Sequence, residues 1–100
     1  MSAVEVIGPK GPARYGGADL LTWARHQLTI ASDIVDNPGG GLLFATQTMG
    51  QVASALAEDG GGRYDPVVDV LHEAEDLAVR RQYAAARARL SNALTRLKSD

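Results

Sequence analysis

Apolar residues recur with a helical period in four separate segments of this chain, each opposed by a polar face. At 100° per residue across 18–36, Leu20, Leu21, Trp23, Ala24, Leu28, Ile30, Ala31, Ile34 and Val35 fall in one half of the wheel. Thr22, Arg25, His26, Thr29, Ser32, Asp33 and Asp36 fill the other half. Gln27 alone breaks the division. Asp19 stands near the start, and Asn37-Pro38 followed by Gly39, Gly40 and Gly41 marks the end. Over 42–58, Leu42, Ala45, Met49, Val52, Ala53 and Leu56 form a second stripe, while Phe44 points away from it among Gln47, Thr48 and Gln51. Gly50 lies beside that stripe. A glycine inside a helix costs about 1 kcal/mol relative to alanine, so a close helix crossing is expected there.

The third segment opens on Asp65-Pro66, where Asp is expected to cap and Pro to occupy the first turn. Val67, Val70, Leu71, Ala74, Leu77 and Ala78 follow at helical spacing. Tyr83, Ala86, Leu90, Ala93, Leu94 and Leu97 make the fourth stripe, with no Gly or Pro between. In one unbroken helix the two stripes would lie about 150° apart, and a single core cannot cover both. A turn near 79–82 resolves the conflict and produces an αα-hairpin. The rival is one long helix held between partners. The pattern therefore predicts an all-α, antiparallel four-helix bundle of two αα-hairpins over 18–100, within one chain or completed or extended by homodimerisation. Residues 1–17, with Gly8-Pro9, Gly11-Pro12 and Gly16-Gly17, are expected to form a flexible arm.

The second hairpin resembles one tetratricopeptide repeat. Ala74, Tyr83, Ala86, Leu90 and Ala93-Leu94 occupy spacings comparable to that family's small, aromatic and large apolar positions. The resemblance covers about a third of the chain and implies shared hairpin packing. Arg81-Gln82 stands where the family has a glycine-containing turn. The first half shows no matching repeat, although such arrays generally need about three, so no peptide-binding groove is expected. Length and lack of cysteine are also similar to the helper proteins of type VII secretion. Their Trp-x-Gly turn is missing, because Trp23 is followed by Ala24-Arg25.

One hundred residues with 45% hydrophobic and 5% aromatic content make one domain whose core rests on Leu, Val, Ile and Ala. Such a core buries little area per residue, which favours self-association. With no cysteine, disulfides and thiolate–metal sites are excluded, and a cytoplasmic location is expected. Arg, Ala and Gly usage fits a GC-rich bacterial genome. Residues 1–17 lack a basic start followed by an apolar run, so no secretory signal is expected. The segment 37–57 carries no charge, but its Gly, Thr, Gln and Ser argue against a membrane span. The net charge of −2 conceals an asymmetry. Residues 1–78 hold eleven acids and four bases, whereas 79–100 hold six bases and one acid.

Few residues invite chemistry. His26 on the polar side of the first helix could act as a phosphoacceptor, since neutral imidazole is a competent nucleophile; the plainer reading is a solvated histidine. Asp69-x-x-His72 has the spacing of carboxylate-bridged metal bundles but lacks the second motif such a site needs, so no metal is expected. Gly60, Gly61 and Gly62 before Arg63 could touch an anion weakly, though a linker is the favoured account. Arg80, Arg81, Arg87, Arg89 and Arg96, with Lys98, could contact nucleic acid through the last helix. They form no single basic face, so pairing with the acidic third helix is the favoured account. Phe44, Val68, Val79 and Trp23 are the candidates for a contact with a protein partner or a second subunit. The chain is thus expected to be no enzyme and to need no cofactor. Its expected role is that of a small helical interaction module, an adaptor or regulatory subunit. The alternatives are histidine phosphotransfer through His26 and weak nucleic-acid binding.

Overall fold

A computed structural model describes residues 19–37 and 39–99 and places four helices there: α1 (Leu20–Asp36), α2 (Leu42–Asp59), α3 (Asp65–Val79) and α4 (Tyr83–Ser99). The proposed arm, 1–17, lies outside the described residues. Loops of three to five residues join successive helices, which favours antiparallel neighbours. Each helix packs on the next, and α1 closes the ring against α4. An ion pair between Asp36 at the end of α1 and Arg87 near the start of α4 confirms the sense of that closure.

The core follows from one spacing used four times. Buried residues recur at intervals of four, three and four in α1 (Ala24, Leu28, Ala31, Val35) and in α2 (Ala45, Met49, Val52, Leu56). The same intervals hold in α3 (Val67, Leu71, Ala74, Ala78) and α4 (Ala86, Leu90, Ala93, Leu97). That is the seam of a bundle with coiled-coil-like packing. In antiparallel order these positions stack as four layers. Ala31 and Ala74 face each other diagonally where Met49 and Leu90 fill the other diagonal. In the next layer Leu28 and Leu71 are the large pair, beside Val52 and Ala93. Beyond them Leu56 and Leu97 are large, against Ala24 and Val67. Large and small diagonals alternate, which lets Ala-rich helices interdigitate without voids. The remaining layer, Val35, Ala45, Ala78 and Ala86, is thin.

Local chemistry sets the ends. Asp19 caps α1: its carboxylate accepts the Thr22 backbone N–H at 2.8 Å. Asp65 is instead the first residue of α3, whose N-cap is Tyr64 with no side-chain cap bond, while Pro66 sits in the first turn as expected. The break predicted from the 150° phase difference falls at 80–82. There the Gln82 N–H donates to the Leu77 carbonyl and the Arg81 N–H to the Ala78 carbonyl, each at 2.9 Å. This is a Schellman closure, and it forces Arg81 to φ 66°, the left-handed region that glycine normally occupies. In the α2–α3 loop, a Cβ at Gly60 would lie 2.5 Å from the Tyr64 ring, so that buried ring requires the glycine.

Two outcomes follow. Arg81→Gly relieves the left-handed strain and is expected to raise stability by about 0.5–1 kcal/mol in urea unfolding. Lower stability would mean that the Arg81 side chain makes contacts that outweigh its backbone strain. At Asp19, the hydrogen bonds from Thr22 hold the carboxyl below its ordinary value. A lowered folded-state pKa adds stability above the unfolded value of about 3.9, and the gain vanishes as pH falls through the folded value. Asp19→Ala should therefore lower the melting temperature at neutral pH. The gap from wild type should close in acid, and a pH-independent gap would contradict the assignment.

Candidate functional site

Closing the ring turns one face of every helix inward, so any docking surface lies on what remains outside. On α1, α3 and α4 that remainder is charged. Arg25, Asp33 and Asp36 lie off the core on α1, Asp69, Glu73 and Asp76 on α3, and Arg87, Arg89, Arg96 and Lys98 on α4. α2 differs. Its outer face carries Leu43, Phe44, Gln47, Gly50, Gln51, Ser54 and Ala57, and no charge before Glu58. Leu43 is 69% exposed and Phe44 55% exposed. The face is neutral because α2 holds no ionisable residue before Glu58. Thr46 even returns its hydroxyl to the Leu43 carbonyl at 3.0 Å.

Beside this face runs a shallow, open groove of about 750 Å³ lined by Trp23, Gln47, Gly50, Gln51, Ser54, Ala55 and Glu58. Trp23 of α1 lines the groove together with Ala55 and stands near the level of Ala57 in the antiparallel register, so the groove lies toward one end of the α2 face and Phe44 at the other. At the α3 edge, a Cβ at Gly50 would lie 3.8 Å from the Glu75 carboxylate. Val79, 63% exposed, lies one turn beyond Glu75, and Leu43 lies two turns before Gly50. Periodicity therefore brings Leu43 and Val79 to the same corner. Val68 is half-buried on α3, about 16 Å along the helix from Val79, and belongs to a different part of the surface.

Gly50 corrects an expectation. The α2–α3 contact does not need it, because only the tip of a flexible carboxylate stands near the missing Cβ, at ordinary contact distance. No backbone crosses closely there.

The other candidates are dispersed. His26 is exposed on α1, and among the described residues no hydrogen bond or ion pair orients its ring. His72 Nδ1 lies 3.8 Å from Glu75 on an exposed edge. Among the described residues no group of three His, Asp or Glu side chains is placed to hold a metal ion. No described helix is long and apolar enough to cross a membrane. Arg89 pairs with Glu73 of α3 at 3.0 Å, as charge complementarity within the hairpin predicts. Arg87 departs from it by pairing with Asp36 of α1, Arg80 just past the end of α3 pairs back with Asp76 at 2.9 Å, and Arg96 donates to Asn92 at 2.7 Å. The Arg63 guanidinium sits 5.5 Å from the Tyr64 ring centre. These arginines form no continuous basic face.

Gly50→Ala should raise the stability of the dilute chain by about 0.5–1 kcal/mol in urea unfolding, since the methyl group meets no backbone. A loss of stability at high dilution would show a contact that Gly50 serves within one molecule. The chain matches no protein-family model, no curated protein and no solved structure.

Proposed function

We propose that this chain is a small non-enzymatic interaction module, an adaptor or regulatory subunit, that docks a protein through the outer face of α2. One observation carries the reading: four turns of exposed helix without a charged side chain, bearing Leu43 and Phe44 in the open. Solvent-facing helix surfaces are ordinarily rich in charge, as the other three helices here are, whereas the centres of protein interfaces are depleted of it. An aromatic ring at the edge of such a face supplies a large apolar anchor. Neither phosphotransfer through His26 nor nucleic-acid binding through α4 has a comparable observation behind it. A cysteine-free chain suits the reducing cytoplasm, which is the setting this reading assumes.

The test replaces one residue with a photo-cross-linking amino acid and irradiates cells that make the full chain. Placed at Gln51, in the middle of the neutral face, it should give a polypeptide adduct; placed at Glu73, on the charged face of α3, it should not. Equal labelling at both positions, or none at Gln51, would end the proposal.

A further inference from the structure

Resting on the reading of α2 as the docking face, we propose that the partner is a second copy of this chain. Its α2 lies antiparallel on the first, across a two-fold axis that crosses the helix at Gly50.

Gly50 is the first indication. It stands at the midpoint of α2 (Leu42–Asp59), it weakens the helix, and nothing inside one molecule requires it. A two-fold axis is where a helix meets its own copy at the same residue, so it is the place where a missing side chain permits the closest backbone approach. Ser54 and Ala57 continue a low surface from there on the exposed side.

The second indication is a knob and a socket at matching distances. Phe44 projects six residues before Gly50, and the groove beside Trp23 and Ala55 opens about five residues after it. Both lie toward the α1 side of the outer face. A two-fold axis in the interface plane, perpendicular to α2, reverses the helix and keeps that side. It therefore sets each Phe44 over the other copy's groove, and each Gln47 opposite the other copy's Ser54. An isologous contact requires this self-complementarity, and a face built for an unrelated partner does not.

Charge and area agree with the pairing. A neutral face meets its copy without like-charge repulsion, and Glu58 falls at the rim. At 1.5 Å per residue α2 runs about 27 Å, and with the edges of α1 and α3 roughly 10 Å to either side the face offers about 540 Å² per copy, so that two copies together clear the roughly 1,000 Å² that a specific interface needs. The standard size is about 800 Å² per partner, so this contact stands at the small end.

Light scattering of the full chain at high micromolar concentration should give twice the 10.5 kDa chain mass. Gln47→Lys/Ser54→Lys and Gln47→Glu/Ser54→Glu each set like charges opposite one another. Each should weaken self-association at least about tenfold with unchanged helical circular dichroism, and mixing the two should restore the doubled mass. Gly50→Ala should also weaken self-association while raising the melting temperature of the dilute chain, opposite signs that a purely structural glycine would not give. A wild-type mass of 10.5 kDa at high concentration, or doubled mass in both charged variants, overturns the dimer. The Gln51 cross-link separates this failure from failure of the docking face. An adduct of the chain with itself at twice the chain mass supports the dimer. An adduct with another protein, or with residues 1–18 of the same molecule, overturns the dimer and leaves a docking face. No adduct removes both.

Discussion

The structure depends on one packing constraint: large side chains on one diagonal of the bundle must meet small ones on the other, layer after layer. Met49 and Leu90 close over Ala31 and Ala74, Leu28 and Leu71 over Val52 and Ala93, and Leu56 and Leu97 over Ala24 and Val67. Alternation of this kind lets alanine-rich helices approach closely and still reach interior packing density. It also fixes register. Sliding α1 by a turn would set Leu28 against Met49 and Leu90 and leave Ala31 among Ala45, Ala78 and Ala86, a layer with no side chain large enough to fill it. The short loops and the Schellman closure at 80–82 then have a defined length to span, and the strain at Arg81 is tolerated because the layers on both sides of the turn hold it there.

The same constraint decides what is left for function. Every helix spends its inward stripe on the ring, so partners can meet only outer faces. Three of those faces carry charge, and two of their ion pairs (Arg87 to Asp36, Arg89 to Glu73) brace neighbouring helices. Exposed pairs of this sort contribute at most about 1 kcal/mol each, so their clearer effect is to favour one arrangement of helices over another. The outer face of α2 carries no charged side chain before Glu58, and that neutrality is a departure from the rest of the surface.

Much of the fold was legible in the residues alone, because its determinants are periodic. Four stripes gave four helices, and the phase conflict between Leu77–Ala78 and Tyr83–Ala86 located a turn that contains neither Gly nor Pro. Capping was less legible. Asp65 looked like a cap because Asp-Pro commonly opens a helix, yet Tyr64 holds that position and Asp65 lies inside the first turn. The partner of Arg87 was hidden because hairpin logic looks only to the preceding helix, and ring closure brought α1 alongside. The neutral face left a signal in the sequence, the charge-free segment 37–57. Its meaning depended on which of those residues face outward, and Leu43 in particular gave no local sign of its 69% exposure. His26 and the arginines were found by type, but type alone does not assemble a site: the structure sets His26 apart and distributes the arginines among separate partners.

Gly50 joins the energetics of the fold to its use. Alanine supplies seven of the sixteen seam positions, and three of the seven share one layer, where Val35 beside Ala45, Ala78 and Ala86 is the single side chain larger than a methyl group. That layer buries little area, and the exposed Leu43, Phe44 and Val79 all lie at the same end of the bundle. A domain of this size has little stability to spare. A helix-weakening glycine at the centre of α2 is hard to reconcile with such a narrow margin unless another interaction offsets it. Association across the α2 face would do so by mass action, burying Phe44 and coupling the stability of the bundle to the concentration of the chain. The interior is thin where the surface is apolar, and both facts have one physical explanation if the second copy completes what one chain of alanine-rich helices leaves uncovered.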